Sequence, residues 1–515
     1  MASGVESFSA QLARNVWGHR FMDGQKGPEY VLEFLNVLVG THYDLNSDGY
    51  YRKKTANFRQ FVFEGDKEGS KNDIVSLNGE QKEILYSLME NEKEKIDVVR
   101  EFFRNLEVPL YDGRGKEANR SWYAKSLYPI HESLLFFELR KNKGSISFER
   151  NFFARGGELY FLMLSYGTQG NNELKESLES KIKYLLRKNK SIESITKKFT
   201  DALDPENSES EPAPLKYHET REYPQLPVKD HPLFPKFAEE LNNLLNLNID
   251  IYEMFKLLTS LVCFQLLRYM QEQVEQTGKS IFFIDCMDGQ LKQIQQLSSE
   301  SFIRNESNVK EKFENEFSSL FNKNLNNTEG SLSYWKENTD EFLKVFGLSS
   351  LQKARKNRVI KTLENCKDEN DISTKLFSVV KEVVGDQLKK HQLSIVRGIV
   401  RDGGIGGYRA GSKYRYYMSD DFLKTVVFSN ISPKQELEYS GFLDMLYEKY
   451  GFVIGEKQAK ASGIYENSRL NISYFQKNEN SLREKLRQNG LLIEFSDATA
   501  MIHNPFESIE NEVLT

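Results

Sequence analysis

Proline placement constrains this chain more than any other feature. Seven of its twelve prolines lie between Pro205 and Pro235, and none lies between residues 236 and 432. Proline fixes φ and lacks an amide donor, so the first stretch is neither a long helix nor a central strand. We read it as a linker or an extended arm. The proline-free run that follows permits long helices.

On that division the chain carries a helical unit over residues 1–200, the proline-rich linker over 201–235 and a mainly helical middle unit over 236–396 with one short buried strand. A basic Gly/Arg/Tyr-rich segment over 397–418 and a closing unit over 419–515 complete it. A length of 515 residues suits roughly three domains. The expected fold class is mainly α with a small α/β element, ending in a winged-helix-like domain.

Local signals support that outline. Ile96, Val99, Phe103 and Leu106 repeat at helical spacing within an amphipathic helix over 81–106. A helix follows Gly156 and Gly157, another spans 173–198, and a third pattern begins at Phe237 and Leu241 and runs towards residue 276. The apolar run 281–284, closed by Asp285 and Gly289, reads as a buried strand. Residues 322–333 read as a polar loop and 351–363 as a helix. Ser419 is an N-cap with Asp420 and Asp421 in the first turn. Helical patterns over 435–449, 456–461 and 474–488 follow, the last closed by Gly490. Two strands, LLIEF and TAMIH, then join at 496–498. Three helices followed by a hairpin is the order of a winged helix.

Composition excludes several classes. Hydrophobic residues make up 39% and aromatics 12% of the chain, enough for large cores, so global disorder is excluded. A net charge of −5 means that any nucleic-acid contact comes from a local patch. The most apolar helical stretch, 257–267, falls short of the about 20 residues that cross a bilayer, so no membrane contact is expected. The N-terminus lacks the apolar core of a signal peptide, and Cys263, Cys286 and Cys366 stand far apart, which fits a reducing cytoplasm.

No catalytic constellation is recognised, and neither cofactor nor metal is expected. The seven histidines form no HxH or HExxH pattern. TGKS at 277–280 resembles the end of a P-loop, but Gln273 stands where glycine is required and the strand follows instead of preceding. Gly156 and Gly157, with Arg155 before them, open either a phosphate-binding helix N-terminus or a tightly packed helix start. Asp285 and Asp288 lie just past a strand end, where side chains leave the core. They suit a metal-dependent nuclease, given further ligands, or a polar strand end that caps the next helix.

The most distinctive segment is SIVRGIVRDGGIGGYRAGSKYRYYMSDD. Arg397, Arg401, Arg409, Lys413 and Arg415 face the single acid Asp402, with Tyr408, Tyr414, Tyr416 and Tyr417 between them. Guanidinium groups take phosphates, and tyrosines stack on bases. The alternative is a flexible interdomain loop whose cations pair with acidic neighbours. It is not a dinucleotide fingerprint, because Arg409 occupies the third glycine position. Arg483, Lys485 and Arg487 on the closing helix would extend a basic surface where a winged helix reads the groove.

NFFARGGELYFLMLS, SIFFIDCMDGQL and GGYRAGSKYRYYMSDDFLKTVVF together resemble helper proteins of bacterial anti-phage operons. Those operons link DNA modification, phosphorothioation or methylation, to restriction. The resemblance implies a subunit that acts beside a separate ATPase or helicase and a separate nuclease. The reading that follows is a non-catalytic, DNA-contacting subunit of such a complex. A metal-dependent nuclease using Asp285 and Asp288, or a protein–protein scaffold without DNA contact, are the alternatives.

Overall fold

The computed structural model describes residues 8–509 except 20, 22–23, 47–56, 67–73, 91, 112–114, 119, 137–138, 143–144, 149–154, 205–223, 276–277, 328–331, 347, 350, 389–391, 409–412 and 496–498. Most of the proline-rich arm, Arg409 and the turn expected at 496–498 therefore lie outside the described residues.

The molecule is mainly helical, with four small sheets among the described residues. Its axis is the helix Ile251–Glu272. Asp250 caps it, accepting from the amides of Tyr252 and Glu253 at 2.8 and 3.1 Å. Every residue from 257 to 271 is buried. A helix that is apolar on all sides needs partners on all sides. They come from the whole length of the chain: Gly27–Gly40, Leu233–Leu245, Ser394–Asp402 and Asp420–Phe428 all pack against it. No helix of the described residues is long and apolar enough to cross a membrane.

Buried charge on the axial helix is paired by its neighbours. Arg268 donates to Glu240 on Leu233–Leu245 at 3.0 and 3.1 Å, and Glu240 also meets Lys449 at 3.0 Å. Gln265 joins Glu240 to the hydroxyl of Tyr160. The helix Gly156–Gly167 lies against Gly27–Gly40 so closely that a Cβ at Gly157 would sit 2.3 Å from the Tyr30 carbonyl oxygen. Glycine permits that approach.

Nine strands occur among the described residues, numbered in chain order. β1 (Leu139–Asn142) and β2 (Ser145–Phe148) form a hairpin. β3 (Phe282–Phe283) pairs in parallel with β7 (Phe452–Val453). β4 (Gly406–Gly407) and β5 (Arg415–Tyr416) form a second hairpin. β6 (Glu436–Glu438), β9 (Ala500–His503) and β8 (Leu492–Glu494) make an antiparallel sheet in that order. The β3–β7 pair is the junction of the fold. Gly451, at φ +73°, ends the helix Tyr439–Tyr450 and brings β7 beside β3; a Cβ there would lie 2.1 Å from the Ser280 carbonyl oxygen. Ile284 bridges to Tyr416, so β5 joins the same junction.

Several sequence expectations are corrected in detail. The helix expected over 81–106 is two helices, Gly79–Leu88 and Lys93–Arg104, separated where Glu90 adopts φ +55°. The one expected over 173–198 divides into Asn172–Arg187 and Lys190–Leu203, because the Asn189 side chain caps the second through the Ile192 amide. The polar loop expected over 322–333 is helical to Asn327, at the end of the long helix Lys292–Asn327.

Candidate anion-binding cleft

The Gly/Arg/Tyr segment is not a free loop. Its first part is the amphipathic helix Ser394–Asp402, with Ile395, Val396, Ile399 and Val400 buried against the axial helix. The rest folds back as the β4–β5 hairpin, held by the Tyr417 amide donating to the Ile405 carbonyl at 2.9 Å. Arg397 and Arg401, four residues apart, share the outward face of the helix.

That face forms one wall of a cleft of about 370 Å³. The hairpin adds Tyr408 and Tyr414, and the start of the Gly27–Gly40 helix adds Gln25 and Lys26 from the opposite end of the chain. Lys26, Arg397 and Arg401 thus line one opening, and the two arginines are each paired with a carboxylate. Arg397 binds Glu306 through Nε and Nη2 at 2.5 and 2.9 Å, and its guanidinium lies 5.0 Å from the centre of the Tyr414 ring. The hydrogen bond to Glu306 holds Arg397 above its ordinary pKa. Arg401 shares one Asp402 oxygen at 2.7–2.8 Å, while the other Asp402 oxygen accepts from the Gly27 amide at 3.0 Å. Burial raises the Tyr414 phenol, and the two arginines oppose that rise.

The remaining sequence candidates do not join them. Arg415 is 3% exposed and donates through Nε to Asp285 at 2.8 Å. Its guanidinium stands inside the junction and faces no solvent-filled groove. Lys485 donates to Asp288 at 2.8 Å and to the Met418 carbonyl. Arg483 pairs with Glu494 at 2.7 Å, and Arg487 with Glu484 at 2.6 Å. Lys413 is exposed, with no ion-pair partner among the described residues. The closing helix Ile472–Gln488 is anchored by Asn478, which accepts from the Cys286 amide and donates to the carbonyls of Ile284 and Ile454. One face of that helix is therefore committed to the β3–β7 junction.

The other sites offered by the sequence are also filled from within. Asp285 accepts from Arg415 and from the Met287 amide at 2.9 Å, and burial pushes its carboxyl above the ordinary range against the pull of Arg415. With Asp288 held by Lys485, each of the two acids is engaged in an ion pair. No cluster of three or more His, Cys, Asp or Glu side chains able to hold a metal occurs among the described residues. The helix N-terminus at Gly156 is occupied by Glu33, which accepts from the amides of Arg155 and Gly157 at 3.0 and 2.8 Å. Lys279 of TGKS is exposed and caps the Tyr439–Tyr450 helix through the carbonyls of Tyr447 and Glu448. His131 holds the Ser133 hydroxyl at 2.8 Å but also caps the Ser133 amide, so this buried pair is a local turn contact.

Sequence reasoning missed Gln25 and Lys26, because nothing local to KGPEY points across the chain to residue 397. The available signal was a lysine set directly before a Gly-Pro helix start. No protein-family model matches the chain, and neither does any curated protein or solved structure.

Proposed function

We propose that this chain is a non-catalytic, DNA-contacting subunit of a bacterial anti-phage, restriction-type complex, and that the cleft at the Ser394–Asp402 helix is its contact site. One observation carries the reading: Lys26, Arg397 and Arg401 line an opening walled by Tyr408 and Tyr414. Cations supply phosphate affinity, and tyrosines supply ring surface for bases. The defence role, beside an ATPase or helicase and a nuclease, comes from the sequence resemblance.

Residues 419–515 serve, on this reading, as a winged-helix-like module. The order helix, β6, helices, β8, β9 and the sheet order β6-β9-β8 support it. Its closing helix packs into the junction through Asn478 and Lys485, so contact with DNA passes to the cleft.

Binding is measured by fluorescence anisotropy of labelled DNA against salt concentration. Arg397→Gln with Arg401→Gln removes two phosphate partners, and the log–log salt slope falls by about 0.7–0.9 for each. An unchanged slope in a folded double variant rejects the cleft as the contact site.

A second reading, a protein–protein scaffold, draws on the Lys93–Arg104 helix. Val98 and Phe102 lie one turn apart on it and both face solvent. Failure of all nucleic-acid binding favours this reading.

A further inference from the structure

The cleft wall is ordered from the core outward. Tyr416, Phe302, Tyr414 and Tyr408 follow one another with ring centroids 4.9, 5.2 and 5.0 Å apart. Phe302 and Tyr416 are buried, whereas Tyr408 is 46% exposed. The spacing is that of packed aromatic rings. The ladder thus ends on a tyrosine with no further ring packed on it among the described residues, at the mouth of the cleft.

The opposite wall carries an independent observation. Gln25 is 5% exposed, and its Nε2 donates to Glu33 at 2.9 Å. Its Oε1 accepts nothing from any described residue. The orientation is fixed, since a reversed amide would set one acceptor against the Glu33 carboxylate. A buried acceptor without a donor is costly in a folded protein. That oxygen is sealed against Gly156, so the Gln25 amide shapes this wall and is not itself offered to a ligand. Between the two walls lies Gly398, where an added Cβ would meet nothing within 4 Å.

We infer that the cleft takes one unpaired nucleotide, with its base against Tyr408 and its phosphate on Lys26, Arg397 and Arg401. A volume of about 370 Å³ sits at the small-ligand end of binding clefts, room for one nucleotide and not for a base pair within its stack. A base face is free to lie on a tyrosine only when it has left the duplex stack. The inference rests on the nucleic-acid reading above and narrows its ligand from DNA in general to a single-stranded or free nucleotide.

The test uses the full chain with three ligands: a short labelled single strand, the same sequence as a blunt duplex, and deoxynucleoside 5′-monophosphates. The single strand is expected to bind at least about tenfold tighter than the duplex. Tyr408→Ala and Gly398→Leu each weaken it by about tenfold, with the thermal midpoint unchanged because Tyr408 is exposed and the space at Gly398 is open. Competition by a monophosphate identifies a free nucleotide as a source, and strand binding without competition identifies the strand. Monophosphate binding by calorimetry, with neither strand form bound, keeps the ligand class and rejects the nucleic-acid reading. Duplex binding as tight as single-strand binding, still weakened by Arg397→Gln, overturns the inference and leaves that reading standing. A single-strand preference untouched by Gly398→Leu overturns it as well. No binding of any of the three overturns both.

Discussion

Arg397 and Arg415 belong to one basic segment, and each is paired with a carboxylate from a distant part of the chain. Their surroundings differ in kind. Arg415 is 3% exposed and its partner Asp285 is fully buried, whereas Arg397 at the cleft is 41% exposed and its partner Glu306 is 12% exposed. A buried pair has surrendered its hydration, and neither charge has water to turn to if the other is removed. A rim pair keeps water as a competitor and is worth little by itself. The same residue type therefore builds the fold at one end of the segment and stays open to an incoming anion at the other.

The largest expected effect breaks the buried pair. Arg415→Ala leaves Asp285 uncompensated beside Ile284 and Tyr416, and the loss is about 3–5 kcal/mol by urea denaturation. Asp285→Leu combined with Arg415→Met restores most of it, because a well-packed apolar pair avoids the desolvation of two charges. A loss under about 1 kcal/mol for Arg415→Ala would put Arg415 in the same class as Arg397 and remove the contrast.

What the sequence made legible is what it encodes locally. Ser419 caps the Asp420–Phe428 helix through the Phe422 amide, the expected helix over 456–461 is Glu456–Ala461, and the last two strands are β8 and β9. The run 281–284 does hold a buried strand, β3. Each of these follows from a cap, a period or a β-branched run within a few residues. The partner of β3 is β7, and the partner of Arg415 is Asp285, each more than a hundred residues away. No local signal distinguishes an arginine that will be buried from one that will not. Periodicity also overruled caps that were present: Asn189 and Asp250 each start a helix within what reads as one apolar rhythm. The cleft was half legible, since Arg397, Arg401, Tyr408 and Tyr414 fall in one stretch while Gln25 and Lys26 lie just before a distant helix.

Lys181 sharpens the contrast from the other side, as a buried cation whose described partner is neutral. Its Nζ donates to the Asn242 side-chain oxygen at 2.9 Å, and burial lowers its pKa from 10.5 to about 8. Between those two values the unfolded chain holds a proton that the folded one has released, so stability rises with pH across that window. Below pH 8 the penalty is complete. Lys181→Met is therefore expected to stabilise the protein at pH 7 by about 1–3 kcal/mol. The gain shrinks to nothing as the pH approaches 10.5. A gain that does not vary with pH would locate the effect in packing instead of charge.

The smallest effect on stability belongs to the rim. Arg397→Gln removes the bidentate contact with Glu306, but Glu306, 12% exposed, keeps partial access to water and the Ser394–Asp402 helix keeps its buried face. The expected loss is about 0.5–1 kcal/mol, read by the same urea titration as Arg415→Ala. Its consequence for an anionic ligand is larger, since the guanidinium that leaves Glu306 for a phosphate exchanges one charge-assisted hydrogen-bond pair for another and gives up little. Stability near that of the parent protein, together with weakened anion binding, is the signature of a cation held ready at a site. A stability loss as large as that of Arg415→Ala would mean that Glu306 and Arg397 are as much a part of the fold as the junction.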